Sequence, residues 1–94
     1  MKTFKMLSRR WRLLFVPRLG EEGAGDDGQC DPPTAKNKAV RIRADLRGRE
    51  RLETILHEAG GHAADWTKDE DTITEWAYDL SVLVWNLGYR REGE

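Results

Sequence analysis

Apolar and polar residues alternate strictly in one stretch of this chain, and further along the period becomes helical. In "AVRIRADL" (39–46), Val40, Ile42 and Ala44 fall on one side and Arg41, Arg43 and Asp45 on the other. That period of two predicts a strand with one buried face. Its polar side is mostly cationic, as sheet edges often are, so this strand is expected at an edge. "RRWRLLFV" (9–16), rich in aromatic and branched residues and closed by Pro17, predicts a second strand with Trp11, Leu13 and Phe15 on one face. "GQCD" (28–31) predicts a short extended piece stopped by Pro32 and Pro33. From about Arg49 the apolar positions Leu52, Ile55, Leu56, Ala59 and Ala63 keep the spacing of a helical stripe. Thr67 and Glu70 have capping-box spacing and predict the start of a second helix. Its stripe is Ile73, Trp76, Ala77, Leu80, Leu83, Val84 and Leu87, ended by Gly88. The fold class expected is α+β: a small sheet of two or three strands packed against two C-terminal helices.

At 94 residues the chain has room for one domain, 1–94, with one small core. Residues 20–38 hold four glycines, two prolines and five acids, which predicts a long loop. The net charge of −1 hides a segregated layout. Residues 1–20 carry six cations and no acid, whereas residues 52–94 carry ten acids and three cations. A basic N-terminal half and an acidic C-terminal half predict two layers that attract each other, and a nucleic-acid partner is not expected. Cys30 is the one cysteine, so no internal disulfide can form and a reducing compartment is expected. The N-terminal apolar run "LLFV" (13–16) is too short for a signal peptide or a membrane span, making the cytoplasm the expected location.

The chemistry concentrates in "HEAGGH" (57–62), which contains both histidines of the chain beside a glutamate. Neutral imidazoles bind Zn²⁺ while leaving it Lewis acidic, and an adjacent carboxylate can take a proton from metal-bound water. The competing reading is two exposed histidines on a polar helix face. Spacing decides whether they can share an ion. At about 100° per residue, positions five apart diverge by roughly 140° in a regular α-helix. A π-turn absorbs one extra residue through i→i+5 bonding, and Gly60-Gly61 is the place where the backbone tolerates it. The helix is therefore expected to be irregular at 57–62, with both imidazoles on one side.

"LETILHEAGGHAADW" resembles the active-site helix of the zincin metallopeptidases. The layout "G-x-C-D-P-P … V-R-I-R … L-H-E-A-x-x-H-A-x-D-W … L-x-x-x-L-G-Y", over residues 28–89, is similar to small phage-type metallopeptidase-like proteins. Those have H-E-x-x-H where this chain has one more glycine; H-E-x-x-x-H has a precedent in the dipeptidyl peptidase III family. The resemblance implies a zinc-dependent hydrolase of peptide bonds acting on a peptide or protein substrate. In it His57 and His62 are Zn²⁺ ligands and Glu58 is the general base that activates the zinc-bound water. Gluzincins take their third ligand from the next helix, which favours Glu75, with Asp79 supporting a ligand histidine; Asp65 is the rival third ligand. Tyr78 or Tyr89 could assist at the oxyanion, and an extended substrate could add to strand 39–46. The alternative function is a non-catalytic structural or interaction module that keeps the fold with weak or no metal.

Overall fold

The computed structural model describes residues 2–17, 27–64 and 69–90. Four strands form one mixed sheet: β1 (Lys2–Met6), β2 (Arg9–Val16), β3 (Gly28–Cys30) and β4 (Ala39–Arg43), in the order β1-β2-β4-β3. β1 and β2 are an antiparallel hairpin, β2 and β4 run parallel, and β3 returns antiparallel to β4. The fold is thus α+β, but with four strands instead of the two or three expected. The strand the sequence pattern missed is β1. Its two-residue turn is Leu7-Ser8, both at positive φ (49° and 69°). Such turns ordinarily announce themselves with Asn or Gly, and here no such residue marks the hairpin.

β4 lies inside the sheet, between β2 and β3, so the expectation of an edge strand at 39–46 is corrected. Its arginines do not guard an edge; they are matched to acids. Arg41 meets Asp31 at 2.7 Å, and Arg43 meets Asp27 at 3.0 Å and Asp45 at 2.6 Å. The strand also ends at Arg43, with a turn at 44–45. Its apolar side behaves as the alternation requires. Trp11, Val40, Ile42, Leu46 and Ala63 form the buried core, with Phe4, Met6, Leu13, Phe15, Cys30 and Ile55 packed around it.

The helices are α1 (Gly48–Ile55), a π-helical segment (Leu56–His62) that continues it, and α2 (Glu70–Asn86). α1 and the π segment contact β4 and β3, while α2 packs mainly on α1 and the π segment. The two helices are therefore stacked in layers over the sheet, not laid side by side on it. The face α2 buries is Ile73, Ala77 and Ser81, whereas Leu83 and Leu87 are 55% and 66% exposed. Ile73, the one large residue of the three, lies over Gly61. Ser81 is satisfied in the interface: its Oγ donates to the Tyr78 carbonyl and accepts from Arg49. α2 ends as its glycine predicts. Gly88 (φ 92°) donates to the Trp85 carbonyl and Tyr89 to the Val84 carbonyl, the paired bonds of a glycine C-cap. Among the described residues no helix is long and apolar enough to cross a membrane.

Candidate metal centre

The π segment answers the spacing problem posed by HEAGGH. The Ala63 N–H bonds the Glu58 carbonyl, five residues back, at 2.9 Å. With i→i+5 bonding, residues five apart return to one side. His57 and His62 accordingly face each other, Nε2 to Nε2 at 3.1 Å, with ring centroids 4.8 Å apart. The two glycines do more than relax the backbone. A Cβ on Gly60 would lie 2.7 Å from Trp76 Cη2, and one on Gly61 would lie 2.5 Å from Ile73 Cγ2. Both glycines are open slots into which α2 packs.

That close approach brings the first residue of α2 to the histidines. Glu70 Oε1 is 2.9 Å from His57 Nε2, and Oε2 is 3.0 Å from His62 Nε2. His57, His62 and Glu70 form the one group of three potential ligands that converges among the described residues. The donor set fits zinc. Two atoms each about 2.0–2.1 Å from one ion at a tetrahedral angle are roughly 3.3 Å apart, close to the 3.1 Å between the two imidazole Nε2 atoms, while the Glu70 carboxylate offers either oxygen as the third donor. Two imidazoles and a carboxylate also leave a fourth position open, as hydrolytic zinc sites do.

Glu58 stands beside the triangle without joining it. Its Oε1 is 3.9 Å from His62 Nε2, and the residue is 7% exposed. The edge strand holds it there: a Cβ on Gly28 would lie 2.8 Å from Glu58 Cγ and 3.2 Å from Oε2. Asp27, Gly28, Glu53, Thr54, His57 and Glu58 line a cavity of about 250 Å³ between β3 and the helix. The candidate base and one candidate ligand therefore share the wall of a space open to solvent.

Of the residues singled out in the sequence, the structure brings together His57, Glu58 and His62. Glu75 is exposed and lines a shallow groove with Thr72, Trp76 and Asp79, so neither Glu75 nor Asp79 joins the histidines. Asp65 lies outside the described residues. Tyr78 is stacked under Arg49, and Tyr89 lines a separate cavity with Leu52 and Trp85. Cys30 is half-buried against the core. Glu70 is the residue that the pattern along the chain conceals, because its spacing from Thr67 matches the far end of a capping box. The N-cap is instead Asp69, whose carboxylate accepts from the Asp71 and Thr72 N–H groups and the Thr72 hydroxyl. These bonds hold the Asp69 carboxyl below its usual range, led by the Thr72 hydroxyl. With the cap supplied by Asp69, the Glu70 side chain is released to reach the imidazoles. Three acids in a row at 69–71 read as ordinary complements to a helix N-terminus, which masked that role.

No known protein family, curated protein or solved structure matches the chain.

Proposed function

We propose that the chain is a zinc-dependent hydrolase of peptide bonds, with His57, His62 and Glu70 as the metal-holding set and Glu58 as general base. The observation that carries this reading is the convergence of two imidazole Nε2 atoms, 3.1 Å apart, on the Glu70 carboxylate, whose two oxygens lie 2.9 and 3.0 Å from them, next to the buried Glu58 carboxylate. Zinc in such a set supplies Lewis acidity and lowers the pKa of a water to about 7. Glu58, packed against Gly28 and lining the cavity, is positioned to take a proton from a water there and return it to a leaving amine. Because the strand edge beside that cavity belongs to β3, an extended substrate would pair with residues 28–30, not with 39–43.

A second reading has its own support. With a proton on each Nε2, both imidazoles can also donate to the Glu70 carboxylate with no ion present, which suits a non-catalytic interaction module. Elemental analysis and peptidase assay separate the two. On the hydrolase reading the protein carries about one zinc per chain. His57→Ala loses it, while Glu58→Gln keeps it and loses turnover. Protein that takes up no zinc after incubation with the metal would leave only the interaction module.

A further inference from the structure

The segregated charges of the sequence are only partly matched in the fold. On β4, Arg41 and Arg43 each meet a carboxylate. The neighbouring β1–β2 hairpin carries Lys2, Lys5, Arg9, Arg10 and Arg12 and no acid. Among the described residues none of these five makes an ion pair; Arg12 donates instead to the Asn37 carbonyl, at 3.0 and 2.6 Å. The pairing register sets Lys5 directly opposite Arg10, and Thr3 opposite Arg12. All four lie on the sheet face opposite Phe4 and Trp11, the face turned away from the core. Like charges directly opposite each other destabilise a sheet. The chain nevertheless keeps this pair, while distributing 17 acids elsewhere.

We propose that this hairpin face docks the phosphate backbone of a nucleic acid. Residues two apart on a strand are roughly 7 Å apart on one face, so Arg10 and Arg12, with Lys5 alongside, present a flat comb of cations. The Thr3 hydroxyl adds a further donor of the kind that contacts phosphate. An acidic protein is the poorer fit, because protein interfaces are built around an apolar centre. The exposed large apolar residue of this hairpin is Leu7, which sits at the turn and not within the cationic face. The docking face lies on the side of the sheet away from the histidines, and the proposal is independent of the hydrolase reading.

The test is fluorescence anisotropy of the full chain with short labelled single-stranded DNA, duplex DNA and RNA. Binding is expected at low salt, with a log–log salt slope of about −2 to −3 for three neutralised phosphates. Lys5→Glu places a carboxylate opposite Arg10, so the fold should persist, as a thermal melt will show. This variant should bind roughly tenfold more weakly, and so should the neutral variant Arg10→Gln. Arg90→Glu, a charge-matched change at the far end of α2, should bind like the parent. Absence of binding at about 50 mM salt would overturn the proposal. So would an equal loss in Arg90→Glu, or binding to polyglutamate as tight as to the oligonucleotides.

Discussion

Replacing Gly61 by alanine tests whether the paired glycines act through packing or only through backbone freedom. An alanine Cβ would sit 2.5 Å from Ile73 Cγ2 and 3.5 Å from Ile73 Cβ and Cγ1. Carbon atoms in contact are normally about 3.5–4.0 Å apart, so the overlap with Cγ2 is about 1 Å or more. Ile73 is 1% exposed and has no solvent to turn into, which leaves displacement of α2 as the relief. Overpacking of this kind costs about 1–3 kcal/mol. Against it stands the helix-propensity gain of alanine over glycine, about 1 kcal/mol. An overlap of about 1 Å against a side chain with no room to move puts the cost in the upper part of that range, about 2–3 kcal/mol, so packing wins by about 1–2 kcal/mol, a fall in Tm of about 5–15 °C for a domain of this size. Gly60→Ala should lose less, since its clash, at 2.7 Å, is with the edge of a half-buried Trp76 ring and not with a fully buried side chain. Because α2 carries Glu70, Gly61→Ala should also weaken zinc binding more than Gly60→Ala does. Thermal melts with and without zinc, together with zinc titration, measure both effects. A Gly61→Ala protein as stable as the parent, with unchanged zinc affinity, would refute the packing argument.

Glu70→Ala should weaken zinc binding by more than the roughly 10–100-fold typical of outer-shell changes, while Glu75→Ala leaves it unchanged. Side-by-side zinc titrations check this, and a larger loss from Glu75→Ala would reverse the assignment. Asp31 should make the fold acid-sensitive. Its carboxylate accepts from Arg41 at 2.7 Å and from the Ala39 N–H at 2.9 Å. The Arg41 hydrogen bond holds its carboxyl below the usual range against an opposing effect of burial, with the Ala39 N–H helping. A depressed folded-state value means the unfolded chain binds the proton more readily. The stabilisation is therefore full above the unfolded value of about 3.9 and is lost as the pH falls from there through the lower folded value. Asp31→Asn should cost about 1–2 kcal/mol at neutral pH, and its deficit should shrink on acidification below about pH 4. Denaturant melts across that range decide it; a deficit independent of pH would refute the linkage.

Much of the local structure is written along the chain. Alternation in 39–43 set which side of β4 is buried, and the aromatic run ending at Pro17 marked β2. Gly88 marked the end of α2, because only a glycine adopts its positive φ without strain. The five-residue spacing of His57 and His62, with two glycines between, implied a π-turn if the imidazoles were to meet. These features are set by periodicity and backbone preference, which act within a few residues.

What lies across an interface was not written there. Nothing in "AVRIRADL" distinguishes an arginine guarding a sheet edge from one paired to an acid beside a neighbouring strand; the pairing of β3 settles it, and β3 brings Asp27 and Asp31 from another segment. Leu83 and Leu87 carry the right period for a buried stripe, yet Ala77 and Ser81 take that place. Ile73 and Trp76 fill the space that Gly61 and Gly60 leave, and Ser81 meets Arg49 of α1, so the buried face of α2 runs through 73, 77 and 81 and leaves Leu83 and Leu87 exposed. Glu75 and Glu70 are chemically identical and both belong to α2. Only the packing of α2 against the two glycines places the carboxylate of Glu70, and not that of Glu75, at the imidazoles. A side chain's type and face follow from local sequence. Which group it meets depends on how the elements pack, and that is a property of the whole chain.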